Sequence, residues 1–190
     1  MTSNTEWDDN DFPLAYLITI RTFGTWLHGD ERGSVDRHSK NIYGSARISA
    51  NANLDSLMRD EMKCPPFLLD ALQRRAVENE IGNVCTKRVY SLLAINVRTN
   101  HFHAVVSAQS KPEAIITAFK ANATRAMREK KIVAPDARVW SRGKSRRYLW
   151  KPGNVESAIN YTLYVQGDDL FDTWEVDTSA IARVHNVESS

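Results

Sequence analysis

The sequence predicts an α+β protein with a ferredoxin-like (split βαβ) antiparallel sheet, helices on one face and an extra C-terminal helix. Strand-like and helix-like segments alternate in the order β-α-β-β-α-β-α, which is the split βαβ order plus one helix. The chain has 190 residues, of which 42% are hydrophobic. This size and composition suit one globular domain with short appendages.

Four segments have the composition of strands. Residues 14–27 are rich in β-branched and aromatic side chains, with alternation over Tyr16, Ile18 and Ile20. Residues 89–97 and 102–107 are separated by a short polar link, which predicts a hairpin. Residues 137–150 fit either two short strands around a turn at Gly143 or one strand with a basic loop.

Three segments are predicted helices. Residues 67–79 follow two prolines, and residues 111–130 carry an apolar stripe at helical spacing. Residues 154–166 form the third, with Asn154 as the expected N-cap. Residues 28–54 show little periodicity and are expected to form a long loop insert.

The net charge of +2 conceals a strong asymmetry along the chain. Residues 1–13 form an acidic N-terminal extension, residues 14–167 the folded domain and residues 168–190 an acidic C-terminal tail. Residues 111–151, called the basic segment below, hold 12 basic and 3 acidic side chains. Such a segment is typical of a surface that meets a polyanion, and the alternative is a set of solvated basic faces.

Other features of the composition exclude several classes of protein. No run of about 18 apolar residues occurs, so we expect no membrane partner and a cytoplasmic protein. The two cysteines, Cys64 and Cys85, are too few for a disulfide framework or a zinc ribbon. We expect both thiols to be buried.

Two histidines, His101 and His103, open the second strand of the predicted hairpin. Because successive side chains of a strand point to opposite faces, both imidazoles share one face at roughly 6–7 Å spacing, while Phe102 points the other way. Two imidazoles on a rigid face can chelate one divalent ion, although two ligands do not complete a site. The alternative is a pair of strand-end histidines that are exposed or bonded to the backbone.

The predicted C-terminal helix contains two tyrosines, Tyr161 and Tyr164. A phenol activated by a metal or a base can act as a nucleophile. Attack on a phosphodiester would leave a 5′-phosphotyrosine and a free 3′ hydroxyl, which keeps the energy of the cleaved bond for rejoining. The alternative is that these tyrosines only pack, as helical tyrosines more often do.

The basic segment interleaves cations with aromatic rings. Phosphate neutralisation combined with flat rings on which unpaired bases stack is typical of single-stranded nucleic-acid binding. The candidate DNA-binding residues are Lys120, Arg125, Arg142, Lys144, Arg146, Arg147, Trp140 and Trp150, with Tyr148 among them in the sequence. The alternative is an exposed basic hairpin whose aromatic side chains face the core.

Five segments occur in a specific order along residues 14–167. They are FGTWLHGDERGSV after the opening strand, NHFHAVV, FKANATRAMRE, VWSRGKSRRYLW and INYTLYVQG. Together they resemble the single-tyrosine HUH transposases of the IS200/IS605 type and their relatives, the REP-associated tyrosine transposases. The resemblance implies an HUH transposase-like domain over these residues.

The resemblance also implies roles for particular residues. His101 and His103 match the HUH pair and would bind Mg²⁺ or Mn²⁺, and Gln166 would be the third metal ligand. Tyr161 matches the catalytic nucleophile of the last helix. Members of the family act on single-stranded DNA next to a hairpin, and many are homodimers, so we expect the same partners and a nucleoid-associated location.

One spacing departs from the family. In the insertion-sequence enzymes the tyrosine and glutamine are four residues apart, whereas Tyr161 and Gln166 are five apart, about 140° around an ideal helix. A π-bulge, or an early helix end at Gly167, would bring them together. Tyr164, two residues or about 200° from Gln166, fits worse as nucleophile.

Two other functions compete with this interpretation. A non-cleaving hairpin DNA or RNA binding protein derived from such a transposase would explain the altered spacing. A histidine phosphohydrolase is a weaker alternative, because the third alternating histidine of the histidine-triad pattern is replaced here by Val105.

Overall fold

The computed structural model describes residues 12–27, 51–62, 64–143 and 145–165. Within these ranges the chain forms four strands and four helices. In chain order they are β1 (Ala15–Arg21), α1 (Ala52–Asp60), α2 (Ala71–Arg88), β2 (Ser91–Val97), β3 (His101–Ser107), α3 (Pro112–Glu129), β4 (Ser145–Leu149) and α4 (Pro152–Tyr164).

The strands form one antiparallel sheet in the order β2-β3-β1-β4. The central strand β1 pairs with β3 and β4, and β2 pairs with β3 as the predicted hairpin. Helices connect β1 to β2 and β3 to β4. This arrangement confirms the predicted ferredoxin-like α+β fold.

The two faces of the sheet carry different helices. On one face α2 and α3 pack on a core that includes the fully buried Ile18, Phe102 and Phe119. On the other face α4 packs through residues such as Val155 and Ile159 onto a smaller apolar cluster. The extra C-terminal helix therefore lies on the opposite face of the sheet from α2 and α3. The apolar cluster under α4 occupies only part of that sheet face.

The first strand is shorter than predicted. It ends at Arg21, and the chain turns at Gly24, whose φ is +71°. A Cβ at Gly24 would lie 3.0 Å from Met62 Sδ and 3.1 Å from Pro66 Cα. Backbone conformation and close approach both require glycine here, so the strand pattern cannot continue to residue 27.

The helix predicted over residues 67–79 instead spans Ala71–Arg88. Asp70 caps it, because its side chain accepts from Gln73 N at 2.8 Å while Gln73 Oε1 accepts from Asp70 N at 3.0 Å. The buried Ile81 and Cys85 extend the apolar side of the helix beyond residue 79.

The last helix also begins at a different residue. Pro152 occupies its first turn and Lys151 is the N-cap, so the expected cap at Asn154 is wrong. Proline suits the first turn because the amide hydrogen it lacks would have no helical partner there. Residues 137–150 contain one strand, β4, which carries the candidates Arg146, Arg147 and Tyr148. Trp140 lies before the strand and forms an isolated bridge with Thr22.

Part of the predicted loop insert is helical. Asn51 caps α1 by accepting from Leu54 N at 3.1 Å, so the insert over residues 28–54 ends in a helix. Its residues 28–50 lie outside the described residues, as do most of the acidic extension and the whole acidic tail. The expected burial of both cysteines is wrong at Cys64, which is exposed, and holds for Cys85.

Candidate active site

A row of four polar side chains crosses the sheet on the face that α4 partly covers. The strand register places Thr19 beside His103 and beside Ser145, and places Asn96 beside His103. Neighbouring strands lie about 4.8 Å apart, so side chains in one row can contact each other. The row forms the polar end of a face whose other end is apolar and covered by α4.

The two histidines lie together as the sequence predicts. Their ring centroids are 4.7 Å apart and their planes meet at 78°. His103 is 6% exposed, whereas His101, at the start of β3, is half-buried. Phe102 between them enters the larger core, because side chains alternate along the strand.

Each imidazole is held at its Nδ1 atom. His103 Nδ1 lies 2.8 Å from Thr19 Oγ1, and His101 Nδ1 lies 2.6 Å from Asn100 Oδ1. A carboxamide oxygen only accepts, so Nδ1–H of His101 donates and its Nε2 carries the ring's lone pair. Hydrogen bonds of this kind at one ring nitrogen orient metal-binding histidines and make the other nitrogen the ligand.

Tyr161, on α4, contacts His103. Its ring lies edge-on to His103 with 5.5 Å between centroids, and its side chain is 41% exposed. Val155, Ala158 and Ile159 on α4 pack against the apolar end of the sheet face. Because this contact fixes the helix axis, Tyr161 projects over the polar end beside His103.

Asn96 ties the end of α4 to the sheet. Its Nδ2 donates to the carbonyl oxygen of Thr162 at 3.0 Å. Carbonyls of the last turn have no partner within their own helix, so this bond stabilises the helix terminus. Since Asn96 also stands beside His103 in the register, one side chain couples the strand of the histidines to the helix of the tyrosine.

Arg21 adds a positive charge to this region. It stands opposite His101 in the pairing of β1 with β3, and its guanidinium carbon lies 3.3 Å from the centroid of the Trp26 ring. A guanidinium over an indole face is held by a cation–π interaction. Because Arg21 pairs with His101 across the strands, this planar cation, suited to phosphate, belongs to the same face of the sheet as the histidines.

The donor set determines which ion the residues fit. Among the residues that the structure describes, no group of three or more His, Cys, Asp or Glu side chains lies together. His101 and His103 offer two imidazole nitrogens, which first-row transition ions such as Mn²⁺ accept, while Mg²⁺ favours oxygen ligands. The pair therefore fits two positions of a divalent-ion site whose other ligands are oxygens. Gln166, the predicted third ligand, lies outside the described residues.

Two of the predicted DNA-binding residues, Arg146 and Arg147, lie on opposite faces of β4. Arg147 stands beside Leu17, on the histidine face, whereas Arg146 stands beside Ile18, on the face of α3. Arg146 Nε lies 2.9 Å from Glu113 Oε1. Trp150 and Arg142 are exposed, and Lys144 lies outside the described residues.

Two further candidates, Trp140 and Lys120, make hydrogen bonds within the protein. Trp140 Nε1 donates to Lys120 O and Thr124 Oγ1, and its ring packs edge-on against Phe102 at 5.6 Å. Lys120 Nζ donates to Ser141 O at 2.9 Å, which holds the loop before β4. Trp140 therefore packs on the core, and DNA contacts by Trp140 and Lys120 stay predictions.

Arg125 lies on the surface of α3. Its Nη2 donates to Asn122 Oδ1 at 2.6 Å, and its guanidinium lies within 4.0 Å of Glu80 and Glu129. These partners are on the helical layer, on the other side of the sheet from His103 and Tyr161. The structure thus separates Arg125 from the candidate active site.

Three residues of this site were not predicted from the sequence. Thr19, Asn96 and Arg21 hold or flank the histidines, but in the sequence they stand out only as members of strand-like segments. Thr19 gives a signal, because a hydroxyl interrupts the apolar run of β1 at a position that faces the α4 side. Asn96 and Arg21 gain their roles only through contacts with distant segments.

Comparison with known proteins gives structural similarity only. No protein-family model and no curated protein matches the sequence. The fold is similar to a REP-associated tyrosine transposase bound to a REP hairpin, with 10% identity, a TM-score of 0.48, and coverage of 86% of this chain and 71% of that one. It is also similar to a proposed transposase of Deinococcus radiodurans R1, with 11% identity, a TM-score of 0.41, and coverage of 81% and 92%.

Similarity at this level concerns the fold, so the function is argued from the site. No helix in the described part of the chain has the length and apolarity needed to cross a membrane.

Proposed function

We propose that the protein is a transposase that cleaves and rejoins single-stranded DNA next to a hairpin, with Tyr161 as nucleophile. The observation that supports this most is the contact of Tyr161 with His103, which is itself paired with His101. A half-exposed phenol beside two imidazoles on one rigid face joins a nucleophile to a pair of metal-binding groups. The expectation that the DNA substrate contains a hairpin rests on the sequence resemblance.

The reaction is a transesterification at phosphorus. The Tyr161 oxygen forms a bond to the phosphorus of the scissile phosphodiester and loses its proton. The bond from phosphorus to the 3′ oxygen breaks, and that oxygen gains a proton. The products are a 5′-phosphotyrosine and a 3′ hydroxyl, and attack by a 3′ hydroxyl on the same phosphorus reverses the step.

The histidines and their partners prepare the site for this reaction. His101 and His103, with the predicted ligand Gln166, would hold Mg²⁺ or Mn²⁺. When bound, such an ion polarises the phosphate oxygens and neutralises charge that develops on them. Thr19 and Asn100 hold the two rings at Nδ1, so the ligand nitrogens are oriented before substrate arrives.

Two features position the nucleophile and the phosphate. Asn96 and the apolar side of α4 hold Tyr161 over His103, and such preorganisation removes the entropy cost of bringing the reacting groups together. Arg21 and Arg147 supply positive charge on the same face as the histidines. A homodimer and a nucleoid-associated location are further predictions of the resemblance.

Covalent capture of DNA tests the proposal. We expect single strands that contain hairpins to form a denaturation-resistant adduct with the protein in the presence of Mn²⁺. Tyr161→Phe should abolish the adduct, since it lacks the nucleophilic oxygen, and the matched variant Tyr164→Phe should retain it. His103→Ala and a chelator should each reduce it strongly. An adduct that persists in Tyr161→Phe would contradict the assignment.

The same experiment distinguishes the non-cleaving alternative. A protein that only holds hairpin DNA or RNA would bind in a salt-sensitive manner, without an adduct and without dependence on the metal. That combination of results would replace the proposed enzyme by a binding protein.

A further inference from the structure

The exposed edge of the sheet carries a row of side chains on the face away from the histidines. β4 is an edge strand, and Arg146, Tyr148 and Trp150 occupy alternate positions at and just beyond it. Arg146 and Tyr148 stand beside Ile18 and Tyr16, which belong to the core under α2 and α3. This row, Arg146, Tyr148 and Trp150, is called the edge row below.

The edge row is held firmly although its rings are exposed. The Tyr148 ring packs edge-on against the buried Tyr16, with 5.3 Å between centroids. Arg146 is bound to Glu113 on α3. A ring that is fixed on one side presents its other surface at a small entropy cost, which suits a binding platform.

The two rings are arranged for stacking. Tyr148 and Trp150 are nearly parallel, with 9° between planes and 6.4 Å between centroids. Their side chains are 43% and 51% exposed, so adjacent aromatic surfaces face solvent. Every nucleobase has a flat π-face, and stacking on such rings is tolerant of sequence.

The charge around the edge row fits a polyanion. The basic segment that contains it has 12 basic and 3 acidic side chains. Arg147, between Arg146 and Tyr148, points to the histidine face, where Tyr161 lies. A strand that crosses the edge of β4 would therefore meet aromatic rings on one side and a cation on the other.

We propose that Tyr148 and Trp150 form a stacking site for unpaired bases of single-stranded DNA, whose backbone passes around the edge of β4 to Arg147. The inference rests on the proposed function for its ligand. The sequence predicted stacking for three aromatic residues, and the structure leaves Trp140 on the core and selects these two. The nucleotides bound here lie outside the cleavage site, on the opposite face of the sheet.

A binding experiment without metal tests this site separately from cleavage. The probes are labelled oligothymidine and an abasic strand of the same length and charge, compared at one salt concentration. Base stacking predicts that the protein prefers oligothymidine by about 5- to 150-fold per stacked base. Trp150→Ala should bring that preference towards one, and Trp150→Phe should restore most of it.

Two controls separate stacking from other effects. Arg147→Gln should weaken binding of both strands equally, because phosphate contacts do not depend on bases. Leu72→Ala removes another exposed apolar side chain, from α2, and should change neither affinity. A wild-type protein without preference for bases, or a preference that survives in Trp150→Ala, would overturn the site. Failure of the wild-type protein to form the covalent adduct would instead contradict the proposed role of Tyr161 and leave the result of this binding experiment unaffected.

Discussion

At the scale of single residues, the imidazole of His103 is held from two directions. Thr19 Oγ1 lies 2.8 Å from its Nδ1, and the Tyr161 ring lies against it from α4. The sequence pattern predicted His103 and Tyr161, because both belong to short motifs. A hydroxyl within the apolar run of β1 marks Thr19, but its partner could not be predicted, since His103 lies 84 positions away and is reached only through the pairing of β1 with β3.

Thr19→Val tests the orienting role of this hydroxyl. The variant keeps the shape of the side chain and removes the bond at His103 Nδ1. Loss of such a partner typically costs 10- to 100-fold in metal affinity or activity. We expect adduct formation to need a correspondingly higher Mn²⁺ concentration and to recover at saturation.

Thr117→Val on the exposed surface of α3 is the matched control, because its hydroxyl bonds only to Glu113 O among the contacts described. It should leave the Mn²⁺ dependence unchanged. An unaltered Mn²⁺ midpoint in Thr19→Val would show that the hydroxyl does not orient the ligand.

The two cysteines differ in their surroundings, which predicts different reactivity. Burial raises the pKa of the Cys85 thiol from 9.0 to about 12, whereas Cys64 is exposed. The thiolate is the reactive form, so at mildly alkaline pH a thiol reagent should modify Cys64 in the native protein and Cys85 only after unfolding.

The sign of the pH effect follows from the raised pKa. The folded state favours the neutral Cys85 thiol, so its contribution to stability is complete below pH 9 and decreases as the pH rises towards 12. Denaturation midpoints measured across this range check the direction. Rapid native modification of both thiols would contradict the burial of Cys85.

At the scale of elements, the backbone at the C-terminus of α2 is strained. Helix α2 ends at Arg88, and its C-cap, Val89, has φ 57° and ψ 41° and is 91% exposed. A β-branched residue in the left-handed region is strained, because its Cβ approaches the following carbonyl. Glycine is the residue most often found there.

Val89→Gly should therefore stabilise the protein by about 1 kcal/mol. The free energy of unfolding from denaturant titration measures the change. Val165→Gly is a matched control at the end of α4, where φ is −105°, and it should not stabilise. A loss of stability in Val89→Gly would contradict the left-handed backbone at this cap.

The same scale explains why the predicted bounds differ from the observed ones. For α3 the prediction over residues 111–130 agrees closely with Pro112–Glu129, because a proline and a clear apolar stripe define it. For α2 the prediction over residues 67–79 begins before the capping box at Asp70 and ends before the buried residues Ile81, Val84 and Cys85. Which side chains of β4 lie on which face of the sheet could not be predicted without its register with β1.

At the scale of the whole molecule, the sheet separates the two proposed sites. The face under α4 holds the histidines and Tyr161, and the edge row lies on the other face. Apart from α1, which lies where a loop was predicted, the order of elements was predictable, because strand and helix periodicities are local properties of the sequence. The two sites were not, since they depend on which residues are neighbours across strands.

The attachment site of DNA on the protein tests directly whether Tyr161 is the nucleophile. After incubation of the wild-type protein with a hairpin-containing single strand and Mn²⁺, the adduct would be digested and analysed by mass spectrometry. We expect a nucleotide linked through its 5′ phosphate to Tyr161 and a released strand with a 3′ hydroxyl. Attachment to Tyr164, or cleavage that leaves both ends free of protein, would contradict it.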